Sequence, residues 1–171
     1  MKKLLLLVAM PFAITSGLHA ISKSDIAREL TSAIDNLKMN ALDPREPIAK
    51  QQKMVTDWSN AVDKAKKFIV ENSKDLLKKV DPDLAQGLSK VDQINNDFTN
   101  TIKTIRGTMP KAPISKLLPI ANEAQKIVDQ FRSKSFVLSG KKDSAALIVE
   151  IAACIVSGAK YLYNDLLAKT R

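Results

Sequence analysis

Cysteine, histidine and aromatic side chains are scarce in this chain, and each shortage removes a class of activity. Cys154 is the one cysteine in 171 residues. A disulfide-stapled domain needs an even set, so the fold must rest on its apolar core. The one histidine, His19, lies in an N-terminal segment with the marks of a removable leader. The working protein is therefore expected to contain none. Serine and cysteine nucleophiles usually need a neighbouring base, most often histidine. Zinc sites draw on Cys and His, and helical di-iron sites on Glu-x-x-His. The five glycines, at 17, 87, 107, 140 and 158, are too scattered for a phosphate-cradling loop. Paired carboxylates alone can hydrolyse glycosides, but the acids here sit mostly at helix caps or on polar faces. No enzyme activity, metal site or cofactor is expected.

Aromatics make up 5% of the residues, too few for the stacking platforms that single-stranded nucleic acids require. The basic excess, a net charge of +9, is mainly lysine, with arginine only at 28, 45, 106, 132 and 171. Lysines spread a diffuse positive field, whereas arginines make the bidentate grips that read phosphate. Specific nucleic-acid recognition is not expected, and attraction to anionic surfaces is.

The N-terminus reads as a secretory signal. Lys2 and Lys3 precede the apolar run Leu4 to Ile14, and Gly17-Leu18-His19-Ala20 offers a cleavage site. The alternative is a retained anchor. The run falls short of the roughly 20 residues that a membrane span needs, and Pro11 interrupts it. The expectation is an exported protein, periplasmic or secreted, cut near Ala20. Residues 1–20 form the leader and 21–171 a single domain. The leader carries two lysines and no acid, so its loss leaves +7.

Hydrophobic spacing of alternating threes and fours runs through the remainder, the signature of amphipathic helices. The first is predicted over Ser24 to Asn40, with Ile26, Leu30, Ala33 and Leu37 on one side. Asp43-Pro44-Arg45-Glu46 is expected to open the second as cap, first residue and capping-box carboxylate. Its stripe is Ile48, Val55, Trp58, Val62, Ala65 and Ile69, and residues 72 to 80 either prolong it or form a short turn. Asp81-Pro82 repeats the start signal, and Val-Asp-Gln recurs at 91 and 128, a weak hint of a repeat. Leu84, Leu88, Val91, Asn95, Phe98, Ile102 and Ile105 follow, with Gly107 as a stop. Asn95 in this seam is either a buried residue that fixes register or, as is expected, left wet by a small rotation that turns Ile94 inward. Thr108 to Pro113 reads as a connector. Ile114, Leu117, Ala121, Ala124, Val128 and Phe131 mark a fourth helix, with a start or kink at Pro119. Ser133 to Lys142 reads as a loop, unless Phe136-Val137-Leu138 extend that helix. The last helix is predicted over Asp143 to Ala168. The fold class is thus all-α: an up-and-down bundle of about five helices preceded by a cleavable signal peptide.

In the last helix the polar residues Asp143, Glu150, Ser157 and Asn164 stand seven apart, which makes one narrow wet stripe on an otherwise apolar rod. That rod is expected at the centre of the bundle; the sharper alternative leaves one flank exposed for a partner or a second copy. A membrane-spanning role is disfavoured, because the run looks short and Glu150 would sit in mid-bilayer.

The candidate contact residues are Trp58, Lys64, Lys67, Lys78, Lys79 and Cys154. Trp58 is an interface anchor or, on this spacing, core. Cys154 either links two molecules or packs as a small hydrophobe. Lys64, Lys66, Lys67, Lys74, Lys78 and Lys79 concentrate positive charge, with Asp63, Glu71 and Asp75 interleaved. The composition points to non-covalent binding, with a protein in the envelope or outside the cell as partner and lysines steering acidic surfaces. The alternative is a basic protein that binds membrane surfaces or polyanions. A homo-oligomer is compatible with both.

Overall fold

The structure is a computed structural model that describes residues 22–74, 79–108 and 114–169. The expected leader with its cleavage site, Lys78, and the connector beyond Thr108 lie outside the described residues. Among the described residues the fold is all-α, with five helices: α1 Lys23–Asn40, α2 Ile48–Asn72, α3 Pro82–Thr108, α4 Leu117–Ser133 and α5 Ser139–Lys169.

α1 begins where its capping chemistry allows. The Ser22 hydroxyl accepts from the Asp25 backbone N–H at 3.2 Å, and the Asp25 carboxylate accepts from the Ser22 N–H at 3.4 Å. This is a capping box, and the hydrogen bonds from Ser22 hold the Asp25 carboxyl below its usual pKa.

The second helix starts later than its Asp-Pro signal implies. Had it started at Pro44, Pro47 would fall at the fourth helical position. There the Asp43 carbonyl needs an N–H that proline lacks, and the ring would collide with that carbonyl. Residues 43–46 instead form a turn, Pro47 caps, and α2 starts at Ile48. The Asp43 carbonyl accepts from the Glu46 N–H at 3.1 Å within this turn and from Gln51 Nε2 at 2.6 Å. Asp43 itself clasps the Arg45 guanidinium, which draws its carboxyl pKa down to about 2. Ile48, expected in the apolar stripe, is 74% exposed at the mouth of the helix, and Gln51 takes a buried position in its place. Asp81-Pro82 has no second proline behind it and works as expected. The Asp81 carboxylate accepts from the N–H groups of Asp83 and Leu84 at 3.0 and 3.3 Å.

α2 ends at Asn72, and Lys74 and Val80 then form an isolated antiparallel bridge. A 3-10 turn, Ile114–Lys116, leads into α4. Pro119 falls in the first turn of α4, where a missing N–H costs nothing. α5 opens four residues earlier than predicted. Val137 and Leu138 lie in the connector before it and do not extend α4.

Pairwise contacts give the helix directions. Lys64 meets Glu29 and only a short link joins the two helices, so α1 and α2 are antiparallel. Lys66 with Asp92 and Arg106 with Gln52 set α2 against α3 in the same sense. α1 and α5 run parallel: Lys23 pairs with Asp143 at 2.8 Å, the Thr31 hydroxyl donates to Glu150 at 3.4 Å, and the Lys38 ammonium donates to Ser157 at 3.3 Å. Three of the four polar positions spaced by seven thus form the seam with α1. The rest of α5 is packed by all four other helices. Ile148, Ile151, Ile155, Ala159 and Leu162 are sealed from solvent. By length and composition α5 is long and apolar enough to cross a membrane, contrary to the expectation that the run is short. Much of its apolar surface is used inside the bundle, while Ala146 stays exposed and Val149, Ala153 and Val156 are half-buried. At Gly158 a Cβ would lie 2.8 Å from Ile34 Cδ1 and 3.0 Å from Phe98 Cζ, so α1 and α3 approach closely because no side chain intervenes.

Two substitutions test this packing. A Cβ at Gly87 would run into the Phe131 ring, which is buried and stacked on Phe136 at 6.1 Å. Overpacking of about 1–3 kcal/mol should exceed the gain in helix propensity of about 1 kcal/mol. Gly87→Ala should therefore lower the urea midpoint, and a raised midpoint would show that the ring yields freely. Asn95→Leu, which strands the buried Trp58 N–H, should cost about 1–3 kcal/mol. Adding Trp58→Phe should recover part of that loss by circular dichroism.

Candidate functional site

The reactive side chains that the sequence offers are spent inside the core. Trp58 is fully buried, and its Nε1–H donates to Asn95 Oδ1 at 2.8 Å. This one bond overturns the expectation for Asn95 and decides between the two readings of Trp58 in favour of core. Asn95 is buried at 6% exposure rather than wet, because a tryptophan placed at the centre of the core must find an acceptor for its N–H. Trp58 is accordingly not a surface contact residue. Ile94 is only partly buried against the cluster.

Cys154 is likewise enclosed, at 6% exposure. Burial pushes its thiol pKa up to about 12, with Glu150 and Asp35 adding to the shift and Lys38 opposing it. A neutral, enclosed thiol is neither nucleophile nor cross-link. Among the described residues no group of three or more His, Cys, Asp or Glu side chains is placed to hold a metal ion.

Of the four candidate lysines, the structure brings two together. Lys64 and Lys67 lie along a groove between α1 and α2, and Lys64 pairs there with Glu29 at 2.6 Å. Lys79 is exposed near the start of α3, well along the chain from that pair. Lys66 turns to α3, where the Asp92 carboxylate holds it at 2.6 Å and keeps its pKa raised.

The groove measures 910 Å³. It is the space between two polar stripes. α2 contributes Asp57, Asn60, Asp63, Lys64 and Lys67, and α1 contributes Asp25, Arg28, Glu29, Ser32 and Asn36, with Ala33 among the lining residues. Each stripe follows helical spacing and is visible in the sequence as the face opposite the apolar one. That the two stripes face each other across a hollow depends on how the helices pair, which local spacing does not contain. Four carboxylates and three cations line it, a small acid excess in a chain of net charge +9. Arg28 lies 3.7 Å from Asp25, and the Lys64 and Glu29 side chains stay 52% and 43% exposed. Such pairs gain little from each other and can be re-partnered at low cost.

The chain matches no protein family, and comparison with curated proteins and with solved structures finds no match.

Cys154 supplies a direct check. The thiol should resist a disulfide reagent in the native protein at mildly alkaline pH and react fully in concentrated urea. The unfolded thiol ionises near 9.0 and the folded one at about 12. The folded state therefore holds its proton longer, so this contribution to stability is intact below 9.0 and is lost as pH rises towards about 12. Rapid labelling without denaturant would show that α5 is not enclosed.

Proposed function

We propose that this chain is an exported, up-and-down helical bundle that acts by non-covalent contact with a protein partner in the cell envelope or outside the cell. The α1–α2 groove is the contact site. One observation carries the reading: a 910 Å³ hollow in a strongly basic protein is lined by both signs of charge in near balance. A polyanion drawn by the overall field finds no surplus of cations at this spot, since Asp25, Glu29, Asp57 and Asp63 offset Arg28, Lys64 and Lys67. A polypeptide segment with interleaved charges can satisfy both stripes, exchanging loose solvent-exposed pairs for pairs across an interface. Export is supported by Lys2, Lys3, the apolar run to Ile14 and the small residue Ala20. The reading assigns no catalytic role to any residue.

A photo-crosslinking amino acid at Ser32 or Asn60 tests the site in the producing cell. It should form an adduct with one defined protein, and the same probe at Lys103 on α3 should not. Asp57→Lys with Asp63→Lys should abolish the adduct while leaving the helical spectrum unchanged. Equal labelling from the groove and from α3, or competition by heparin as strong as by a mixed-charge peptide, would refute the groove as a protein site. N-terminal sequencing checks the export part separately: the product should begin near residue 21, and an intact Met1 in the exported fraction would remove it.

A further inference from the structure

We infer that the α4–α5 connector is a membrane-docking tip that places one end of the bundle on an anionic lipid surface. The observation is a pair of bare apolar side chains at an end of the bundle where exposed bases, Lys74, Arg132 and Lys142, outnumber the one exposed acid of the α2 end, Glu71. Val137 is 87% exposed and Leu138 57%, and neither belongs to a helix face that packing could cover. The connector is braced on both sides. Phe136 stacks on Phe131 with rings inclined by 10°, and Lys134 lies over the Phe131 ring while pairing with Asp83 at 2.9 Å. On the other side the Leu138 carbonyl accepts from the Lys142 N–H at 3.0 Å in the first turn of α5. Residues 137 and 138 are thus held outward between two fixed points.

The surrounding charge selects the partner. The starts of α1, α3 and α5 and the end of α4 meet here, as the pairs Lys23–Asp143, Lys134–Asp83 and Lys141–Asp81 show, and the end of α2 joins them where Gly140 lies against the Asn72 carbonyl. Those three pairs occupy Asp81, Asp83 and Asp143. Lys74, Arg132 and Lys142 are exposed and join no ion pair among the described residues. Unpaired cations around an apolar point complement an anionic bilayer, whose headgroups attract the bases and whose hydrocarbon takes the tip. A protein interface is a poor fit, since it needs about 800 Å² from each partner and a matching shape, and two side chains on a loop supply neither. The bases expected to serve a membrane lay on a helix face whose apolar residues the core consumes. The tip supplies the missing exposed apolar pair elsewhere. The groove lies along the side of the bundle, so this inference stands apart from the proposed protein contact.

The test is sedimentation of the protein, purified from the exporting cell, with vesicles of phosphatidylglycerol and phosphatidylethanolamine or of phosphatidylcholine alone. Binding is expected to the anionic vesicles only, and to fall as salt is raised. Val137→Asp with Leu138→Asp should weaken it by more than about tenfold. Arg132→Glu with Lys142→Glu should weaken it by about tenfold or more. Lys103→Glu, an exposed charge on α3, should change it little, and all variants should keep the wild-type helical spectrum. An environment-sensitive dye on Val137→Cys should shift to the blue on anionic vesicles, because Cys154 is enclosed and stays unlabelled. No binding at low salt would overturn the inference, as would binding that the tip variants leave unchanged. So would light scattering that shows a dimer lost with Val137→Asp and Leu138→Asp, which would make a second copy the occupant.

Discussion

The structure depends on the need to cover α5. Between Ala145 and Val156 this helix has one charged residue, Glu150, and apolar or small residues on nearly every side. Each fully buried Ile or Leu contributes about 1.5–3 kcal/mol relative to exposure, so a rod of this kind is insoluble alone and strongly stabilising when enclosed. α1, α2, α3 and α4 all pack on it. The side with polar residues at intervals of seven meets α1, where Lys23, Thr31 and Lys38 pair in register with Asp143, Glu150 and Ser157. The apolar sides make the bundle close, and the polar seam fixes its register. Gly158 allows the approach at the crossing with α1 and α3.

Enclosing α5 determines where function can reside. The residues with distinctive chemistry, Trp58 and Cys154, lie in the same interior. Trp58 needs an acceptor there and finds Asn95 at 2.8 Å, so a polar atom in the seam of α3 becomes part of the packing. What is left outside is charge and shape, and these are unevenly distributed. The hollow between α1 and α2 carries slightly more acid than base. The end that bears the connector 134–138 carries unpaired bases around Val137 and Leu138. A basic protein with a mixed-charge hollow on its side and an apolar, basic end presents two different surfaces.

Helix content and the apolar stripes were legible because they are local. Val55, Trp58, Val62, Ala65 and Ile69 in α2, and Ile148, Ala152, Ile155, Ala159, Leu162 and Leu166 in α5, recur at the helical period and are all buried. The centrality of α5 was legible for the same reason, since a rod with only one polar line must be covered around the rest. Element starts were less legible when two signals competed. Asp43-Pro44 and Asp81-Pro82 look alike, yet Pro47 cancels the first by denying the Asp43 carbonyl its helical donor. Rotation about a helix axis was not legible at all. Asn95 and Ile94 differ by one position, and only the presence of Trp58 across the gap decides which turns inward. The groove was half legible: both polar stripes can be read, but not their confrontation. Val137 and Leu138 read equally well as a helix end.

By itself the sequence determined that this protein is helical, that its core is aliphatic and free of disulfides, and that it carries an excess of lysine. Those properties follow from composition and from spacings of three and four, which act between neighbours along the chain. Only the tertiary structure decided which polar groups are buried, which polar stripes face one another, and which apolar residues are left bare at one end. Those depend on contacts between residues far apart in the chain, such as Trp58 with Asn95 and Lys23 with Asp143. Pattern within a single helix says which side is apolar, but not what that side meets.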